Sequence, residues 1–346
     1  MNRKTVKVAS NIQLSIKRAN PSSMTAGDYA YLRRIFDQYS EQQFFPAEPA
    51  GLYQPVEYMM SIGGKRIRPV FVLMACDLFD GVLEKALPAA YGIELFHNYT
   101  LIHDDIMDHA DQRRGKPTVH KTYGLNAGIL SGDLTMVLSY QYILQSEMDP
   151  KIIGTFNVAA RQICEGQQMD MDFEEEAIVN YPEYLEMIRL KTAVLLGVSL
   201  QIGASSGDAS PDSQETMYRF GELLGVSFQL KDDWLDAFGN GEKIGKKVGG
   251  DILRNKKTGL IIKAWELANQ EQRDRISFWF SQETDSQEKV DEILEIIEST
   301  GAKSFIEEEM ESYYLNASSL LKELPVDDVK KKPLLGLSKA LYEREA

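Results

Sequence analysis

Two aspartate clusters, each following an apolar helical run, constrain this chain more than any other feature. The first lies in "ELFHNYTLIHDDIMDHADQRRGKP", residues 94–117, and the second in "FQLKDDWLD", residues 228–236. Asp104 and Asp108 are four residues apart, so in a helix they share one face, with Asp105 beside them. Asp232, Asp233 and Asp236 repeat that spacing about 130 residues later. Three carboxylates on one turn repel one another, and their ordinary place is a solvated helix end. Here apolar residues precede each cluster, which sets the carboxylates at the edge of a buried helix. A hard divalent cation relieves the repulsion, and Mg²⁺ suits because it takes oxygen ligands and shares its shell with phosphate. Two such helices can face each other across a cavity and hold several Mg²⁺ between them. That is a site for a diphosphate.

The rest of the chain supplies a helical frame. From about Thr25 onward apolar residues recur at helical spacing and strand signals are few. Tyr29, Leu32, Ile35, Phe36 and Tyr39 fall on one face of a first helix. Further helices are expected over 125–146, 150–169, 182–203, 213–238, 258–269, 288–299, 302–323 and 332–343. Pro55 and Pro69 suit first-turn positions, and Pro88 suits the opening of the helix that ends at the first cluster. No Pro- or Gly-rich linker separates two differently composed halves, and nothing repeats beyond the paired aspartates. The expectation is one all-α domain over residues 25–346, preceded by an N-terminal extension over 1–24.

Composition narrows the partners. A content of 43% hydrophobic and 26% charged residues is that of an ordinary globular protein, and a formal charge of −14 argues against nucleic acid. The first 20 residues carry five basic residues but no apolar run of a signal peptide. No stretch reaches 18 consecutive apolar residues, so no transmembrane segment is expected. Cys76 and Cys164 sit in apolar helical contexts without partner spacing, as reduced core residues of a cytoplasmic protein would.

A polyanion would be repelled by this net charge unless local cations reverse the field. In "SIGGKRIRP", Lys65, Arg66 and Arg68 follow paired glycines, either as a solvated basic turn or as a phosphate cradle. Arg113 and Arg114 add two guanidinium forks after the first cluster, enough for two diphosphates. Gln167 and Asp170 can face the cavity, whereas Glu174 to Glu176 read as solvated surface. Lys191 and Thr192 interrupt an apolar helix. The Gly- and Lys-rich "GNGEKIGKKVGGDILRNKKTG" reads as a lid carrying Lys246 and Lys256 over a bound diphosphate.

Taken in order, "GGKRIRP", "LIHDDIMDHADQRRG", "GQQMD", "KT", "FQLKDDWLD" and "GKKVGGDILRNKKT" resemble the motif set of trans-isoprenyl diphosphate synthases over residues 25–345. The resemblance implies a bundle of helices around a central cavity, usually as a homodimer. It implies that Asp104, Asp105, Asp108, Asp232, Asp233 and Asp236 bind Mg²⁺, about three ions per site, with an allylic diphosphate. Arg113, Lys191, Thr192, Gln229, Lys246 and Lys256 would contact that same diphosphate (dimethylallyl, geranyl or farnesyl). Lys65, Arg68, His97 and Arg114 would hold isopentenyl diphosphate beside it. The C-terminal "YEREA" lacks the strongly basic tail of some members, so Arg344 is not expected to close the isopentenyl site.

The chemistry matches such a site. The allylic C–O bond ionises, the isopentenyl double bond attacks the cation, and a proton is lost to the departing diphosphate. Metal ions and cationic side chains stabilise the leaving group, and an apolar cavity keeps water from the cation. A class I terpene cyclase would resemble this chain less, since its second site calls for an Asn/Ser/Glu triad. A non-catalytic subunit would be expected to have lost one cluster. One helical turn rises about 5.4 Å, near the length of an isoprene unit, so Thr100 and Phe96 lie one and two turns below Asp104. Thr100 leaves the first turn open and Phe96 is large enough to close the second. Tyr99 lies off this line on an ideal wheel, although an aromatic at its position limits chain length in the family. A C20 product is expected, with C15 the close alternative.

Overall fold

The computed structural model describes residues 26–146, 149–176, 178–239 and 248–345. The expected extension over 1–24 and Lys246 lie outside them. The described residues are helical apart from short connections and one two-residue β pair.

The first four helices are α1 (Ala26–Glu41), α2 (Ala50–Ser61), α3 (Ile67–Leu78) and α4 (Leu83–Met107). A hairpin follows, with β1 (Gln112–Arg113) paired antiparallel to β2 (Lys116–Pro117). Its central residues, Arg114 and Gly115, both have positive φ, at 53° and 73°, as the tight turn of a two-residue hairpin requires. Then come α5 (Val119–Tyr123), α6 (Leu125–Leu144), α7 (Pro150–Glu175) and α8 (Tyr181–Ile188). A π-helical turn, Arg189–Ala193, joins α8 to α9 (Val194–Ser206). The chain continues through α10 (Pro211–Phe238), α11 (Gly250–Leu253), α12 (Gly259–Leu267) and α13 (Gln270–Phe280). It ends with α14 (Gln287–Ser299), α15 (Ala302–Glu323) and α16 (Asp328–Glu343).

Proline placement departs from expectation at two points. Pro55 and Pro88 lie inside α2 and α4, which start at Ala50 and Leu83. Each proline is the sixth helical residue, so each helix gives up one internal hydrogen bond there. The helix 270–280 was not anticipated because its sequence, "QEQRDRISFWF", has little apolar periodicity. Its start was nevertheless legible as a capping box, Asn269 with Gln272.

Among the described residues two large apolar clusters hold the helices together, beside a small one around Met59, Ile102 and Val119. One gathers α1, α3, α4, α7 and α9 around fully buried Phe36, Phe71, Tyr91 and Phe156. The other gathers α8, α12, α14 and α15 around Tyr184, Ile261, Ile293 and Ile306. The helix α10 belongs to both, through Phe220 and Leu224 in the first and Val226 and Leu230 in the second. Among the described residues the helix long and apolar enough to cross a membrane is Tyr181–Ser206, and 83% of its apolar window is buried inside the protein. Neighbouring helices, not lipid, cover it.

Candidate active site

The helices α4 and α10 bring the two clusters to one cavity of about 780 Å³, which Asp104 and Asp232 both line. The other four aspartates do not line it and are engaged otherwise. Asp105 is buried and accepts from Arg113, through Nε at 2.8 Å and Nη2 at 2.6 Å. Asp108 is the exposed C-cap of α4. Asp233 accepts from the Tyr184 hydroxyl at 2.6 Å and from Gln229 Nε2 at 3.0 Å. Asp236 accepts the backbone N–H of Asp251 at 2.8 Å, which fastens α11 beside the cluster. Burial raises the Asp104 and Asp105 carboxyls, with Lys191 and Arg113 acting against it, and burial lifts Asp233 to about 7.

Among the described residues no three carboxylate, imidazole or thiol groups converge into a ready metal cage. One cavity-lining carboxylate from each cluster still fits Mg²⁺, which keeps several waters and binds through one or two carboxylates plus phosphate oxygens. The buried Asp105 Oδ2 has no hydrogen-bond partner, so the donor set includes an unspent carboxylate oxygen.

Cations flank these carboxylates. The π turn after α8 presents Lys191 and Thr192 to the cavity from an apolar helix; π turns of this kind recur at functional sites. Gly166 of α7 makes room for that turn, since a Cβ there would come within 2.4 Å of the Lys191 backbone nitrogen. Lys191 Nζ lies 2.6 Å from Asp170 and 3.6 Å from Asp104, and Lys256 Nζ lies 3.8 Å from Asp170. Burial alone would raise Asp170, but Lys256 and Lys191 outweigh it and hold the carboxyl below its ordinary range. Burial likewise works against the charge of Lys256, and Asp170, Asp251, Asp233 and Asp108 reverse this and raise its pKa. Thr192 donates to Gln229 at 3.1 Å, linking the π turn to the second cluster.

A second basic group lies at the N-terminus of α3. Lys65, Arg68, His97 and Arg114 all line the cavity. Arg114 reaches back to the Gly63 carbonyl and packs flat over Gly64, where a Cβ would meet the guanidinium carbon at 2.7 Å. Glycine is required there for space as well as for its φ of 138°. Burial lowers Arg68 to about 10, and its Nε is buried without a partner. Arg66, the remaining cation of this turn, also borders the cavity, but its guanidinium is already paired. It is buried against Glu94 at 2.5 Å and the Met60 carbonyl at 2.7 Å, and does the work of a core residue.

Arg68 donates to His97 Nε2 at 3.1 Å, so that nitrogen is unprotonated. Burial, then Arg68 and three further arginines, push the His97 pKa well below 6.5. The fold therefore accommodates the neutral ring. Its stabilising effect is complete above the unfolded value of 6.5 and is lost as the pH falls toward the depressed folded value. We expect the His97 ring resonances to stay constant between about pH 8 and about pH 6. A titration midpoint near 6.5 in the NMR spectrum would refute the neutral assignment.

Three sequence expectations change. Arg344, discounted above, lines the cavity, ion-pairs with Asp232, donates to the Phe228 carbonyl at 3.2 Å and lies 4.0 Å over the Phe228 ring. Cys76 is buried as expected, whereas Cys164 is exposed and lines the cavity. Below Asp104, Thr100 and Tyr99 line the cavity and Phe96 does not; Phe96 is fully buried behind Tyr99, with ring centroids 5.3 Å apart. The ideal wheel misses this because a helical side chain tilts toward the N-terminus and covers more than its own azimuth.

Residues 49–297 match the polyprenyl synthetase family. The chain is 39% identical over 252 residues to a short chain isoprenyl diphosphate synthase of Methanocaldococcus jannaschii, covering 71% of this chain and 76% of that protein. It is 41% identical over 237 residues to the geranylgeranyl pyrophosphate synthase of Geoglobus acetivorans, covering 67% and 74%. A crystal structure of a geranylgeranyl pyrophosphate synthase superposes with a TM-score of 0.85 at 41% identity, over 92% of this chain and 99% of that one.

Proposed function

Since the chain belongs to the polyprenyl synthetase family, we propose that it condenses an allylic diphosphate with isopentenyl diphosphate to give a short all-trans prenyl diphosphate. The observation that carries this reading is one cavity lined by Asp104 and Asp232, one from each aspartate cluster, together with Lys65, Arg68, Arg113, Arg114 and Lys191. Mg²⁺ held by Asp104 and Asp232, with the flanking aspartates of each cluster, would supply positive charge to the leaving diphosphate.

The chain's own residues do the rest. Arg113, Lys191, Thr192, Gln229 and Lys256 hold the allylic diphosphate, with Asp105 and Asp170 fixing Arg113 and Lys191. Lys65, Arg68, His97 and Arg114 hold isopentenyl diphosphate. The unpartnered Arg68 Nε supports that division as an available donor, and His97 Nε2 supports it by accepting from Arg68 and fixing the guanidinium before substrate arrives. Thr100, Tyr99 and Ile163 line the lower cavity and exclude water from the allylic cation. Residues 25–346 form one domain, with α10 shared between both apolar clusters in support. Exposed Leu125, Ile129, Leu130, Val137 and Leu144 along α6 support a homodimer joined there. The two free thiols support a cytoplasmic location.

The test is to incubate purified protein with Mg²⁺, isopentenyl diphosphate and each allylic primer, and then to size the products. Elongation ending at C20, or at C15, supports the proposal. Cyclised hydrocarbon without elongation, or no turnover, overturns it. The two anion sites separate by kinetics. His97→Ala is expected to raise the KM for isopentenyl diphosphate several-fold more than that for the allylic substrate, and Lys191→Ala the reverse. Equal effects on both substrates would show that the residues are wrongly divided between the sites.

A further inference from the structure

We propose that Cys164 is a product-length determinant, forming with Tyr99 the floor against which the growing prenyl chain stops. This rests on the synthase reading above and names a residue that the sequence pattern assigned to the core. Two helices that line the cavity, α4 and α7, lead away from the diphosphate level. On α4, Tyr99 lies five residues before Asp104, a drop of roughly 7.5 Å at 1.5 Å per residue. On α7, Cys164 lies six residues before Asp170, the partner of Lys191, a drop of roughly 9 Å. The two side chains thus meet at nearly one depth, and both line the cavity. Burial, and then the neighbouring Cys164 thiol, push the Tyr99 phenol up to about 12, which places the two groups beside each other.

What lies behind this pair makes it a floor. Phe96 stands 5.3 Å from Tyr99 and 5.2 Å from Phe156 by ring centroids, and Tyr140 stands 5.0 Å from Phe156. Phe96 and Phe156 are fully buried, so space opened at Tyr99 or Cys164 ends on a second aromatic layer. A small, weakly polar thiol beside a fixed phenol leaves a narrow gap that a methyl-branched chain end fills. A larger side chain at 164 closes the level above, and a smaller one at 99 admits the chain to the layer below.

The experiment sizes products from geranyl diphosphate and isopentenyl diphosphate with Mg²⁺, together with total isopentenyl incorporation. Cys164→Phe is expected to shift the ratio of longer to shorter product at least about tenfold toward the shorter. Tyr99→Ala is expected to lengthen the product, and Cys164→Ser to leave it unchanged. A second readout uses the unaltered protein. Cys76 is buried and Cys164 exposed, so a maleimide should label Cys164 first. A bound C20 diphosphate is expected to slow that labelling at least about fivefold, while dimethylallyl diphosphate leaves it unchanged, because only the longer chain reaches the floor. Elongation with the same product lengths in Cys164→Phe, or labelling indifferent to the C20 ligand, overturns the inference and leaves the synthase reading intact. Absence of any elongation by the unaltered protein overturns the synthase reading and this inference with it.

Discussion

Replacing Asp104 or Asp232 by alanine is expected to lower the turnover number at least about a hundredfold, with little change in the folded state. The reason is electrostatic. Ionisation of an allylic diphosphate builds charge on the leaving oxygen, and preorganised positive charge at that point is the largest single contribution to such a step. These two carboxylates alone of the six line the cavity, so they are the members placed to share a cation with the diphosphate. Each alanine also removes a carboxylate from a cation, but Lys191 keeps Asp170 at 2.6 Å and Arg344 keeps the Phe228 carbonyl at 3.2 Å. Fold and stability should therefore persist while turnover collapses. Steady-state kinetics at saturating Mg²⁺, paired with circular dichroism, check this. Turnover within a few-fold of the unaltered protein in either variant would remove that aspartate from the leaving-group site.

The two clusters differ from their flanking residues in how well the sequence discloses them. Paired carboxylates at i and i+4 after apolar runs announce both a helix face and a cation, because at the edge of a buried helix water is less able to relieve the repulsion. The helical frame is equally legible where periodicity is strong, as in α15, whose observed range of Ala302–Glu323 is the one expected. Direction within a cluster is less legible. Asp105 and Asp104 are adjacent, yet one is buried against Arg113 and the other faces the cavity, and only tertiary packing decides which.

Long-range pairings escape the sequence altogether. Arg344 meets Asp232 across more than a hundred residues, and a single arginine in an acidic tail carries no local signal of that. Cys164 reads as core because its neighbours on α7 are apolar, but a helix lining a cavity has an apolar face without being covered. The π turn at Arg189–Ala193 is invisible to a 3.6-residue period, although Lys191 and Thr192 within an apolar run were its trace. In the basic turn "GGKRIRP", three cations look alike in sequence. All three border the cavity, and ion pairing separates them, with the Arg66 guanidinium engaged with Glu94.

That pair sets the second large effect. Glu94→Ala is expected to destabilise the protein by about 3–5 kcal/mol, because it leaves the Arg66 guanidinium buried without its counter-charge. The side chains of Arg66 and Glu94 are 7% and 2% exposed, so water cannot substitute for the lost carboxylate. Asp37 is 3.8 Å away and half-open to solvent, too distant to replace a contact at 2.5 Å. Glu94 also accepts from Asn98 at 3.3 Å, but Asn98 keeps its 2.7 Å bond to the backbone carbonyl of residue 94, so the cost falls on Arg66. Replacing both partners by methionine, which removes the charge as well as its partner, should recover most of the loss. The pair further holds the turn that presents Lys65 and Arg68, and Glu94 lies one helical turn before His97. Where Glu94→Ala remains folded at low temperature, its KM for isopentenyl diphosphate should therefore rise while that for the allylic substrate holds. Chemical denaturation of the single and double variants, with both KM values, makes the measurement. A single variant as stable as the unaltered protein would show that the buried arginine finds another partner, and the turn would then be held by the backbone alone.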